Sequence, residues 1–146
     1  MNRVLIAKTL LSFVLLFGSV MSFFLDWSGN HLLNPLWHPH AKFHSAILLF
    51  LFAGVALTAT WLLWNPSIAP KIAIKAAAAL SASYWTPFFF VPYLLPGSSY
   101  WAGIPGHEPH IRGAIFYPNL LVVGLFLLLT LTACWIGTSE KQPTAS

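Results

Sequence analysis

Charge is what this chain has least of. Only 7% of its 146 residues are Asp, Glu, Lys or Arg, and the acidic ones number 3. Soluble domains carry roughly 25% charged residues, so the composition is that of a membrane protein. The 7 Lys and Arg residues form no basic run and no basic helix face, so nucleic acid is not an expected partner. Cysteine is nearly absent too. Cys134 stands alone in the last apolar segment, which excludes an internal disulfide and reads as a small packing residue. No Asp, Glu, Lys, Arg or His lies in the central part of a long apolar segment. Ionisable groups inside a bilayer mark proton relays and ion paths, so their absence argues against a pump, a proton-coupled transporter or a charged-pore channel.

What is there in abundance is apolar surface: 58% hydrophobic residues and a mean hydropathy of +0.74. A helix needs about 20 mostly apolar residues to cross the hydrocarbon. Segments near 5–25, 45–64, 75–95 and 114–136 meet that length. Arg3 and Lys8 ahead of an apolar stretch also suit a secretion signal, but no A-x-A-like site follows and the run exceeds a typical signal core. The expected fold is therefore all-α: a polytopic membrane protein, one four-helix transmembrane bundle over residues 1–146. Arg3, Lys8, Lys71, Lys75 and Lys141 fall on one side of this layout, against Lys42 and Arg112 on the other. That bias places both termini in the cytoplasm and both long connections on the extracytoplasmic face.

The third segment changes character along its length. KAAAALSAS is small, and Ala79 with Ser83 makes a small-xxx-small pair that permits close helix approach. YWTPFFFVPYLL is aromatic, and Pro87 and Pro92 each remove a backbone hydrogen bond and favour a kink. Such a half-helix suits either an interfacial aromatic belt or the wall of a hydrophobic pocket. Trp37, Tyr84, Phe89, Tyr93 and Tyr117 are the residues expected to line that pocket.

All 6 histidines fall in the two connections expected on one face. The first reads DWSGNHLLNPLWHPHAKFH. Asn34-Pro35 and His38-Pro39 favour extended or turning backbone, and Pro39 suits the first turn of a helix. A helix starting there puts His40 and His44 four apart on one face, the spacing by which H-E-x-x-H proteins hold a metal. Ala41, Lys42 and Phe43 intervene, so the glutamate base of those proteases is missing. The second connection, GIPGHEPHIRG, is kept from regular helix by Pro105, Gly106 and Pro109 and carries His107, Glu108 and His110. Two histidines with a carboxylate suit non-haem iron, and three nitrogens with water suit zinc or copper. The metal set expected is His31, His40, His44, His107 and His110, with Asp26 and Glu108 as ligand, orienting group or general base. Interfacial histidines that simply bond loop carbonyls and headgroups remain the plain alternative.

The first connection also resembles a family of small four-helix membrane proteins whose pattern runs D-W-x-x-T-H-x-x-N-P-x-W-P-P-H-A-K-F-H. Asp26, Trp27, His31, Asn34, Pro35, Trp37, Pro39, His40, Ala41, Lys42, Phe43 and His44 match it. Asn30 stands where the pattern has Thr, and His38 where it has Pro, so the resemblance favours His31, His40 and His44 over His38. It implies a four-span layout and no established activity. A looser likeness, to emopamil-binding, sterol isomerase-like membrane proteins, implies a bundle that binds sterol-like ligands through acidic and aromatic residues.

Three functional classes follow. One is a metal-dependent membrane oxidoreductase, using iron, copper or zinc on a membrane lipid or hydrophobic small molecule. The others are an accessory subunit of a larger membrane complex and a metal-free lipid-binding or isomerising protein. The topology is directly testable: cysteines placed at Ser28 and Ser98 should react with an impermeant reagent from outside, and one at Ser67 should not. Labelling of Ser28 and Ser98 from opposite sides would remove any shared site.

Overall fold

Proline and short polar side chains set where each helix begins. In the computed structural model, which describes residues 2–102 and 106–139, α1 spans Arg3–Asp26. The Asn2 side chain caps it by accepting the Leu5 N–H at 3.2 Å. Helix α2, Pro39–Trp64, opens on Pro39, and His38 Nδ1 accepts the His40 N–H at 3.2 Å. It therefore starts where Pro39 predicted and runs some six residues longer than its apolar core. It ends at Asn65, held extended by Pro66. Helix α3, Pro70–Trp85, and helix α5, Pro118–Thr138, also carry proline in their first turn.

Two expected spans are revised. The segment near 75–95 is not one helix: α3 begins at Pro70 and yields at Thr86–Phe89 to a 3-10 turn, followed by the single-turn helix α4, Val91–Leu94. Pro87 lacks the N–H an α-helix needs there, and Pro92 restarts the chain in a new first turn. The 16 residues of α3 span only ~24 Å, short of a ~30 Å hydrocarbon core. The last span starts at Pro118 rather than at Ala114, because His110–Ile111 (β1) and Ala114–Ile115 (β2) pair as an antiparallel hairpin. Three described helices, α1, α2 and α5, are thus long and apolar enough to cross a membrane. Lys141 and Pro105, used in the sequence reading, lie outside the described residues.

The helices pack as a diamond. α1 touches α2, α3 and α5, and α3 touches α2 and α5, while among the described residues α2 and α5 do not meet. The inner pair, α1 and α3, comes close because its residues are small. Ala73, Ala77, Ser81 and Trp85 form a buried stripe at four-residue spacing. The small pair singled out in the sequence, Ala79 and Ser83, faces outward instead, with Ser83 Oγ donating to the Ala79 carbonyl. A Cβ on Gly18 of α1 would stand 2.5 Å from Trp85 Cζ2, and one on Gly137 of α5 would stand 2.6 Å from the Ala7 Cβ. Polar rungs cross the contacts: Ser81 Oγ with Thr130 Oγ1 at 2.8 Å (α3 to α5), and the Trp64 indole N–H to Ser12 Oγ at 2.9 Å (α2 to α1). The outward face is apolar as well, with Phe24, Phe50, Leu57, Leu128 and Leu131 all exposed. Helices apolar on every side belong in a core or a bilayer.

Gly18→Ala should therefore destabilise the bundle by about 1–3 kcal/mol through overpacking against Trp85. Gly54→Ala, with nothing within 4 Å of its added Cβ, should be neutral or stabilising. Thr130→Val should remove a rung worth about 0.6 kcal/mol. Unfolding of the three variants in mixed detergent micelles measures the order.

Candidate functional site

Because the chain reverses direction between successive helices, the end of α1, the start of α2, the end of α3 and the start of α5 share one end of the bundle. The two connections at that end build a cavity of about 780 Å³. The first connection is compact. Its backbone turns on itself through Leu32 N–H to the Asp26 carbonyl (3.0 Å) and His31 N–H to the Ser28 carbonyl (3.1 Å), and buried Leu32 anchors it. Asn34 closes the expected turn, its side-chain oxygen accepting the Leu36 N–H at 2.9 Å.

This folding returns His31 to Asp26. The His31 Nε2 stands 3.8 Å from Asp26 Oδ1, an electrostatic contact too long for a direct hydrogen bond. His31 Nδ1 is buried and has no partner among the described residues. Trp37 lies edge-on to the imidazole at 6.3 Å between ring centroids. Asp26, His31, Asn34 and Trp37 all line the cavity.

The opposite wall comes from the break after α3. Tyr84, Pro87, Phe88, Val91 and Pro92 line it, and the Tyr84 ring is backed by Phe52 in a stacked contact at 3.4 Å. Its hydroxyl lies 3.3 Å from Ser22 Oγ on α1. The loop from Gly97 to Ala102 forms a third side. Among the bonds that hold it, the Tyr100 hydroxyl donates to the Phe89 carbonyl at 3.2 Å, and Asn119 Nδ2 donates to the Tyr100 carbonyl at 2.9 Å. Asp26 is the only charged side chain among the lining residues, and no Lys or Arg joins it.

The structure thus divides the expected site residues. Asp26, His31, Trp37 and Tyr84 share the cavity. His40 and His44 sit on an exposed turn of α2, their Nε2 atoms 2.9 Å apart, and do not line it. His107 and His110 are exposed beside and on the hairpin arm. Glu108 Oε1 accepts the Gly106 N–H at 3.1 Å. Its own backbone N–H and that of Gly106 hold its carboxyl below the usual carboxylate range, which makes it a poorer base. Among the described residues no three of His, Cys, Asp and Glu come together as a metal centre. Of the expected pocket aromatics, Tyr93 is 81% exposed, Phe89 offers its carbonyl to Tyr100, and Tyr117 packs on Tyr100 at 5.2 Å. None of these three lines the cavity. Phe88, Tyr100 and Trp101 do, and the sequence reading passed over them. The polar-aromatic run Ser98-Ser99-Tyr100-Trp101 between two glycine-containing turns was the available signal.

A family model described as a family of unknown function (DUF6640) matches residues 10–133, a stretch that includes both connections. The chain belongs to that family. No curated protein and no solved structure matches it.

Removing the clamp tests this construction of the cavity. Asn119→Ala should loosen the 98–102 loop by the ~0.5–1.5 kcal/mol of one hydrogen bond, roughly 2- to 10-fold in amide exchange. Exchange within α1 and α3 should not change. Uniform exchange across all segments would mean that other contacts hold the loop.

Proposed function

We propose that this member of the family is a bilayer-embedded protein that binds a small amphipathic, lipid-derived molecule and moves a proton at its polar head. One observation carries the reading: a carboxylate and an imidazole, Asp26 and His31, stand together in the wall of a cavity whose opposite wall, from Tyr84 to Pro92, is aromatic and apolar. Ligand sites commonly combine such apolar linings with a few convergent polar groups.

The chemistry of the wall selects the head. A phosphate or carboxylate placed against Asp26 would meet like charge and find no Lys or Arg in the lining. Buried charge without a partner is strongly disfavoured. A hydroxyl or an amine fits, donating to Asp26 Oδ1. Trp37, Phe88 and Val91 then take the apolar body. His31 presents Nε2 toward Asp26, while its Nδ1 is buried without a partner among the described residues, so in this reading Nε2 is the nitrogen that takes up and returns the proton. Asp26 orients the ring and balances the imidazolium. Acid–base work of this kind needs no metal and suits isomerisation of a lipid better than its oxidation.

The same reading sets the membrane orientation. Arg3, Lys8, Lys71 and Lys75 stand toward the helix ends opposite Asp26, which under the positive-inside rule supports an extracytoplasmic cavity.

Full-length protein purified in mild detergent should retain a neutral or amine-headed lipid detectable by native mass spectrometry. Asp26→Asn and His31→Gln should each weaken it by roughly 10- to 150-fold, the worth of a hydrogen bond to a charged group. Tyr93→Ala, on the exposed face, should retain it. Equal retention by Asp26→Asn and wild type would refute the site, and an anionic lipid as the bound species would refute the head-group assignment.

A further inference from the structure

Two imidazoles lie together on α2 and take no part in the cavity. His40 and His44 are one helical turn apart, both exposed, with Nε2 atoms 2.9 Å from each other and rings nearly perpendicular at 89°. The contact requires one ring to present Nε2–H and the other a bare Nε2, and the neutral tautomers allow that. It also brings two nitrogen donors to the separation that one metal ion demands. With metal–nitrogen bonds of ~2.0–2.1 Å, adjacent nitrogens lie ~2.8–3.0 Å apart at a right angle and ~3.3–3.4 Å apart at a tetrahedral one. The observed spacing is the right-angle one. Square-planar and tetragonal nitrogen sites are those of divalent copper and nickel, and copper binds such donors most tightly of the first-row series.

The surroundings support two ligands and no more. His38 is engaged as the helix cap, its Nδ1 taken by the His40 N–H. Phe43 flanks both rings, at 6.3 Å from His40 and 5.6 Å from His44 between centroids, and narrows their freedom to turn. The described carboxylates are occupied elsewhere, Asp26 beside His31 and Glu108 on the Gly106 N–H. Calcium and magnesium seek oxygen donors, and this turn offers no carboxylate.

We propose that His40 and His44 form a surface chelate for a divalent transition metal of tetragonal preference, copper(II) foremost, separate from the cavity. Each ring turns about its Cβ–Cγ bond until both Nε2 lone pairs meet at one ion, the tautomers shift so that Nδ1 carries the proton, and water fills the remaining positions. The site needs nothing from Asp26 or His31, so it stands whether or not the cavity binds lipid.

Copper(II) titrated into tag-free, full-length protein in detergent tests it, read by electron paramagnetic resonance and by metal content after desalting. Wild type should take up a single high-affinity copper per chain with two imidazole nitrogens in its spectrum. His40→Ala and His44→Ala should each lose affinity by more than the roughly 10–100-fold that removal of an outer-shell partner costs. His107→Ala, His110→Ala and Asp26→Asn should bind as wild type does. Bound copper should also shield His40 and His44, and not His107, from diethylpyrocarbonate in the unmutated protein. Absence of uptake, unchanged binding by both alanine variants, or equal loss in His107→Ala would each overturn the two-ring site, the last in favour of a larger centre.

Discussion

The cavity end of this bundle depends on how Trp85 of α3 seats against Gly18 of α1. In lipid, the tails around a helix are as apolar as the side chains they replace, so helices associate through fit and interhelical hydrogen bonds rather than by escape from solvent. Here the fit is Gly18 of α1 against Trp85 of α3, while the buried stripe Ala73, Ala77 and Ser81 carries a hydrogen bond from Ser81 to Thr130 of α5. Trp85 is the last residue of α3, next to the 3-10 turn that Pro87 imposes, so its seat against α1 anchors the start of that turn. Tyr84 and Phe88, one on each side of that point, become cavity wall as a result. A packing constraint in the bundle thus positions the cavity wall at its end.

Histidine content alone points to a single metal-rich face, and the backbone disperses it. Proline at 39 places His40 and His44 on a helix surface, whereas the turns from Asp26 to Leu32 fold His31 inward. The hairpin carries His110 outward, its turn using left-handed Arg112 and Gly113 with φ of 52° and 82°. What remains at the cavity is one carboxylate and one imidazole, both half-buried beside aromatic rings.

The helical, membrane-like character was legible because it rests on composition and apolar length, which need no partner. Helix starts at Pro39 and the break near Pro87 were legible because proline acts locally. The shared end of the two connections followed from alternation of direction. Side-chain facing was not legible. Ala79 and Ser83 have the right spacing but the wrong azimuth, and in helices apolar all round no polar face marks the difference. Tyr100 and Trp101 were missed because a loop's contacts are tertiary: their position depends on Phe89 and Asn119, 11 and 19 residues distant from Tyr100. Tyr93 was over-weighted because proximity in sequence to Phe88 and Phe89 says nothing about which side of a single-turn helix faces inward.

The diamond arrangement has a mechanical corollary. α2 and α5 occupy the far corners and share no contact among the described residues, each resting only on the α1–α3 pair. α2 bears Ser45, Leu48 and Leu49 of the cavity lining, and α5 contributes Asn119. Phe52 of α2 stacks on Tyr84 and meets Trp85 edge-on, so α2 is tied to the cavity wall through the aromatic end of α3. A disturbance of either corner helix reaches the other only through the α1–α3 pair.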